Sequence, residues 1–130
     1  MSKAHGDTFV TDAVIGAAIE VHSYLGPGAL ESAYLACLVC EVGLRGLSVR
    51  REVPVPVRYK GVLIDCAYRI DLLVGDFVIV EAKAVSKLLA IHDAQLLSYL
   101  RLSGLQLGLL INFHERRLKD GIRRLQNGWK

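Results

Sequence analysis

The hydrophobic pattern of this chain changes period along its length, and those changes restrict the fold more than any single motif does. Over residues 10–25, Val10, Ala13, Val14, Ala17, Ala18, Val21 and Leu25 recur at helical spacing. Asp7 and Thr8 precede them as cap candidates. Gly26-Pro27-Gly28 then breaks the chain. A second helix is expected over residues 29–45, with Leu30, Ala33, Tyr34, Cys37, Leu38 and Glu41 along one side and Gly43 and Gly46 as stop signals. The period then falls to two. Val53, Val55, Val57 and Tyr59 alternate with Pro54, Pro56 and Arg58, and two prolines on one side of a strand are tolerable only at an edge. Lys60-Gly61 supplies a turn, and a second strand is expected over residues 62–74. After a turn at Gly75-Asp76, residues 77–82 form a short, strongly apolar strand that reads as central.

Helical spacing returns over residues 86–103 and ends at Gly104. Residues 107–113 read as a last strand, and a short basic helix closes the chain with Leu118, Ile122 and Leu125 on its buried side. The expected order is ααβββαβα, an α/β fold with a mixed four-stranded sheet flanked by helices. The third and fourth strands are joined by a helix, so they should run parallel with a right-handed crossover. No repeat or linker divides residues 1–130, which predicts one domain.

Composition narrows the class. A chain of 130 residues, 52% hydrophobic and 22% charged, has enough apolar surface to bury a core. No apolar run approaches the ~20 residues needed to span a bilayer. The first residues carry no apolar segment of the secretory kind, so the expected location is the cytoplasm, with no membrane partner. Three cysteines, an odd number, argue against a disulfide framework. The net charge of +3 permits nucleic-acid contact without demanding it. Arg116, Arg117, Lys119, Arg123, Arg124 and Lys130 gather late in the chain. They read either as a solvated helix face or as a patch that contacts phosphates.

The chemistry concentrates in Ile70-Asp71-Leu72-Leu73 and Val80-Glu81-Ala82-Lys83. Glu81 and Lys83 are two apart on a strand and point to one face. An acid and a lysine at the end of an apolar strand are costly to bury unless paired or metal-bound. Register decides whether Asp71 joins them. A two-residue Gly75-Asp76 loop would pair Asp71 with Val80. A three-residue loop that includes Phe77 pairs it with Glu81, with Cβ atoms about 5 Å apart. The odd loop, or an equivalent bulge, is the expectation. Two carboxylates so placed repel unless a cation or proton lies between them. Oxygen ligands with open water positions suit Mg²⁺ or Mn²⁺. Lys83 beside them could orient a water and stabilise a charged phosphorus centre. The plainer reading is a surface Glu-Lys pair near an unrelated turn aspartate.

Asp71, the hairpin and Glu81-Ala82-Lys83, in this order of elements, resemble the PD-(D/E)XK nuclease superfamily. Gly28-Ala29-Leu30-Glu31-Ser32-Ala33-Tyr34 resembles the signature of its GxxExxY family. The likeness runs from about Thr11 to Gln126 and includes Tyr59-Lys60-Gly61, His92-Asp93-Ala94-Gln95-Leu96 and Gly108-Leu109-Leu110-Ile111-Asn112-Phe113. It implies Asp71 and Glu81 as metal ligands and Lys83 as the catalytic lysine. It also implies Glu31 as a further ligand or water-positioning acid, Gln95 as a polar residue facing the site, and the Ala82 carbonyl as another metal contact. Ile70 stands where the superfamily's name places a proline. Within the chain, Glu31 and Tyr34 share a helix face, and the plainer role of Glu31 is to complement the helix dipole. His92, Gln95 and Tyr99 share a face of the later helix, which could equally be an ordinary polar stripe.

The reading that follows is a metal-dependent nuclease acting on nucleic acid, DNA more than RNA. The alternatives are a non-catalytic nucleic-acid-binding or protein-interaction module on the same fold, and a homodimer joined through its apolar surface. Cys37-Leu38-Val39-Cys40 sits within a helix, on its apolar side, and lacks the two further ligands that zinc requires. His22 could approach Glu31 across the Gly26-Pro27-Gly28 turn, but a hydrogen-bonded interfacial histidine is the plainer expectation.

Overall fold

The computed structural model describes residues 3–128. Helix α1 (Lys3–Leu25) and helix α2 (Glu31–Leu44) come first. Strands β1 (Val49–Pro54), β2 (Val57–Tyr59), β3 (Val62–Ile64), β4 (Arg69–Val74) and β5 (Val78–Lys83) follow. Helix α3 (Ala90–Ser103) leads to β6 (Leu107–Asn112), a 3-10 turn (Leu118–Gly121) and β7 (Ile122–Gln126). Five strands form one mixed sheet in the order β1-β4-β5-β6-β7, and β2 and β3 form a separate hairpin. Among the described residues, no helix is long and apolar enough to cross a membrane.

The central strands β4, β5 and β6 are buried on both faces because helices cover both, whereas the edge strands β1 and β7 are largely exposed. Val10, Val14, Ala17, Ala18 and Val21 of α1 and Tyr34, Leu38 and Val42 of α2 pack with Leu72, Val74, Val78, Val80 and Ala82. Leu96, Tyr99 and Leu100 of α3 pack with Ile79 and Leu110 on the opposite side. The odd and even residues of β5 therefore serve different cores, as the two-residue period of a strand requires. The expected parallel pairing across α3 is present, with Glu81 opposite Leu110 and Lys83 opposite Asn112. Gly104 ends α3 in the left-handed conformation, at φ 76°.

Several sequence expectations need correction. The sheet has five strands rather than four, and the chain closes in a strand rather than a helix. Leu118, Ile122 and Leu125 have helical spacing, yet residues 122–126 pair with the otherwise open edge of β6. The alternating run over residues 53–59 is broken at Pro54 and Pro56, neither of which has an N–H to give to a ladder. Between them the Val55 N–H donates to the Tyr68 carbonyl at 3.0 Å. The expected strand over residues 62–74 divides likewise into β3 and β4. Helix α1 runs through Asp7 and Thr8, so neither caps it. Cys37 and Cys40 are exposed thiols rather than part of the apolar side. Lys130 lies outside the described residues.

Candidate functional site

Turn chemistry sets the geometry. Gly75 and Asp76 take positive φ values of 61° and 66°, and the Phe77 N–H closes the turn on the Val74 carbonyl at 3.3 Å. This is the backbone of a tight hairpin, with Phe77 as one additional residue. Leu72 therefore faces Val80, and Val74 faces Val78. Continued by one position, that register sets Asp71 opposite Glu81.

At this point the ladder gives way to side chains. The Asp71 N–H donates to Glu81 Oε2 at 2.7 Å. The Ala82 N–H donates to Asp71 Oδ2 at 3.0 Å. Each carboxylate thus takes a backbone donor from the neighbouring strand, which fixes both acids. A charged acceptor strengthens such bonds and holds the side chains in one geometry. Glu81 is buried, at 3% exposure, while Asp71 is half-buried.

The electrostatics follow from this proximity. Burial, followed by the Asp71 charge, pushes the Glu81 carboxyl from 4.5 up to about 8. Burial likewise raises Asp71, opposed by the Ala82 hydrogen bond and the Lys83 charge, while Glu31 and Glu52 raise it further. Desolvation also raises the Tyr99 phenol, with the Glu81 and Asp71 charges adding to it. Two acids that resist ionisation together form a site that favours a cation or a shared proton. The donor chemistry fits a divalent ion, because the two facing acids offer hard carboxylate oxygens from neighbouring strands.

Lys83 extends from the end of β5, on the same side of that strand as Glu81, and its Nζ lies 3.4 Å from Gln95 Oε1. Gln95 Nε2 in turn lies 3.4 Å from the Tyr99 hydroxyl. These are long contacts, but they align Lys83, Gln95 and Tyr99 between β5 and α3. His92 is engaged differently: its Nδ1 accepts from the Leu89 N–H at 2.9 Å and caps the start of α3. Glu31 opens α2, is exposed, and bears on both Asp71 and Glu81 through its charge. Among the described residues, no three His, Cys, Asp or Glu side chains gather closely enough to form a complete metal cage. The structure brings Asp71 and Glu81 together, therefore, and leaves Glu31 at a distance.

The Gly28–Tyr34 stretch fixes the start of α2, where Glu31 lies. The Tyr34 hydroxyl donates to the Gly26 carbonyl and accepts from the Ala29 N–H, which ties down the turn before α2. Its ring stacks on Phe113, with centroids 4.5 Å apart. His114 joins the same support, with Nε2 at 3.2 Å from the Ala29 carbonyl. His22 contacts the Glu115 carbonyl at 2.7 Å rather than Glu31.

Three residues near the site were not singled out for a role from the sequence. Glu52 takes a positive φ of 50°, and the β1–β4 register, with Arg51 opposite Leu72 and Val53 opposite Ile70, places it opposite Asp71. No local pattern signals it, because its position depends on how β1 pairs. Asn112 is fully buried; its amide bonds both the Val85 N–H and the Val85 carbonyl, anchoring the chain just beyond Lys83. A polar residue ending an apolar strand was the available signal. Tyr68 precedes β4 and contacts Tyr99, with ring centroids 6.0 Å apart.

The basic residues divide. Arg123 pairs with Asp93 and Arg124 with Asp12, whereas Arg116, Arg117 and Lys119 surround a surface depression with His22.

Neither a curated protein nor a solved structure matches the chain. The family model of the PD-(D/E)XK nuclease superfamily matches residues 8–125, nearly the whole sequence. With the facing acids and the neighbouring lysine in place on the sheet, the chain belongs to the PD-(D/E)XK nuclease superfamily.

Proposed function

We propose that this chain is a metal-dependent nuclease of the GxxExxY branch that hydrolyses phosphodiester bonds, in DNA more than in RNA. The observation that carries the reading is the opposition of Asp71 and Glu81 across β4 and β5, with Lys83 on the same side of β5 as Glu81. A purely structural hairpin gains nothing from a buried and a half-buried carboxylate that repel each other. Asp71 and Glu81 would hold Mg²⁺ or Mn²⁺ with the Ala82 carbonyl, and Glu31, set farther off at the start of α2, would position a water. Such an ion would acidify a water molecule and neutralise charge on the phosphate. The Lys83 ammonium donates to the attacking water or to a phosphoryl oxygen, favouring the charge that develops as the bond breaks. Gln95 restrains Lys83 and orients the water.

The test is a cleavage assay on single- and double-stranded DNA and RNA with Mg²⁺ or Mn²⁺, run beside Lys83→Ala. Metal-dependent cleavage by the wild type, reduced at least about 100-fold in the variant, supports the proposal. Equal activity in both proteins would remove it.

A further inference from the structure

Lys83 also borders a cleft of about 550 Å³ formed with Tyr68, Ile91, His92, Gln95 and Tyr99. That volume is in the range of about 300–1,000 Å³ typical of small-ligand sites. The lining is mixed. Tyr68 is 42% and Ile91 68% exposed, so two large apolar surfaces face solvent beside an ionic site. Gln95 and Ser98 add polar groups along the same wall.

The Tyr68 backbone is anchored although its ring is exposed. Its carbonyl accepts from the Val55 N–H at 3.0 Å and from the Arg69 guanidinium at 2.9 Å. Its ring meets the buried Tyr99 ring at 63°, an edge contact that supports Tyr68 while leaving part of it open to the cleft. A rigid, partly open aromatic ring with hydrogen-bonding groups alongside suits a flat, polar-edged heterocycle. Lys83 connects this cleft to the paired carboxylates, so an occupant carrying a phosphate would reach both.

We propose that the cleft is a stacking subsite for one unpaired nucleobase, with Tyr68 as its platform and the adjoining phosphate delivered to Lys83. This deepens the nuclease reading and rests on it. A base inside a duplex is already stacked on both faces and cannot enter, so the subsite selects single strands or frayed ends. Aromatic stacking of this kind tolerates any base, because every base presents a π face.

The experiment measures binding apart from cleavage. Fluorescence anisotropy with a short labelled oligothymidylate, an oligouridylate and a matched duplex is recorded for wild type, Tyr68→Phe and Tyr68→Ala, without a cleavage-supporting metal. Tyr68→Phe should bind like the wild type. Tyr68→Ala should lose about fivefold to a hundredfold in affinity for single strands and little for the duplex. Moving one abasic site along the oligonucleotide should reveal a position that weakens the wild type but not Tyr68→Ala. Circular dichroism confirms that both variants are folded. Wild-type affinity of Tyr68→Ala for single strands, equal losses on single strand and duplex, or failure of the wild type to bind single strands would each overturn the subsite. Inactivity in the cleavage assay with the stacking pattern intact would remove the nuclease reading alone.

Discussion

Replacing Glu81 by glutamine tests the carboxylate pair through stability. Glutamine keeps the length of the side chain and still offers an oxygen to the Asp71 N–H, the bond made at 2.7 Å in the native protein. The ionisable proton and the charge are removed, and an amide NH₂ replaces the second oxygen. The Glu81 carboxyl titrates near 8 in the folded protein and near 4.5 in its ordinary surroundings. Below about 4.5 both folded and unfolded chains are protonated at this position, and the folded state keeps its full stability. As pH rises toward 8 the unfolded chain releases the proton while the folded chain retains it, so stability falls across that interval. At about 1.4 kcal/mol per tenfold change in proton affinity, the full difference is roughly 5 kcal/mol. Water entry and relaxation at the open end of the site recover part of it, leaving roughly 2–4 kcal/mol. Urea unfolding in the presence of a chelator provides the measurement. Glu81→Gln should match the wild type near pH 4 and exceed it by about 2–4 kcal/mol near pH 8. Saturating Mn²⁺ near pH 8 should then close most of that gap, since the wild type gains about 2.7 kcal/mol at a hundredfold excess over its Kd. A difference between the two proteins that does not change with pH would refute the reasoning.

Other perturbations probe the scaffold. Tyr34→Phe removes the hydroxyl that ties Gly26 to Ala29, and thermal or urea melts should show a loss of about 1–3 kcal/mol. Gly121→Ala would place a Cβ 2.5 Å from the Asn112 carbonyl oxygen, against backbone that cannot easily retreat. It should destabilise by about 2 kcal/mol or more in the same melts. Asn112→Ala leaves the backbone at Val85 without its bonding partner, and a lowered melting temperature with weakened Mn²⁺ binding should accompany it.

The parts of this fold that were legible in the sequence are those governed by local rules. Gly75 and Asp76 accept positive φ, Phe77 adds the odd residue, and the resulting register brings Asp71 to Glu81. The two-residue period placed Glu81 and Lys83 on one side and Ala82 on the other, as the burial of Ala82 beside Val80 in the other core confirms. What was not legible depends on distant pairing. Residues 122–126 carry a helix-compatible pattern, but the free edge of β6 offers a full ladder, and edge pairing overrides local preference. The apolar alternation over residues 53–59 conceals the break because it describes side chains, whereas Pro54 and Pro56 interrupt through the backbone. Glu52 escaped notice for the same reason: only the β1–β4 register aligns it with Asp71.

Isothermal titration of Mn²⁺ into the wild type and into Asp71→Asn examines the paired acids with no substrate involved. Binding by the wild type that Asp71→Asn loses by at least about tenfold is expected, since one of the two converging carboxylates is gone. Equal affinity in the two proteins would mean that the ion is held elsewhere and that the facing pair is not its site.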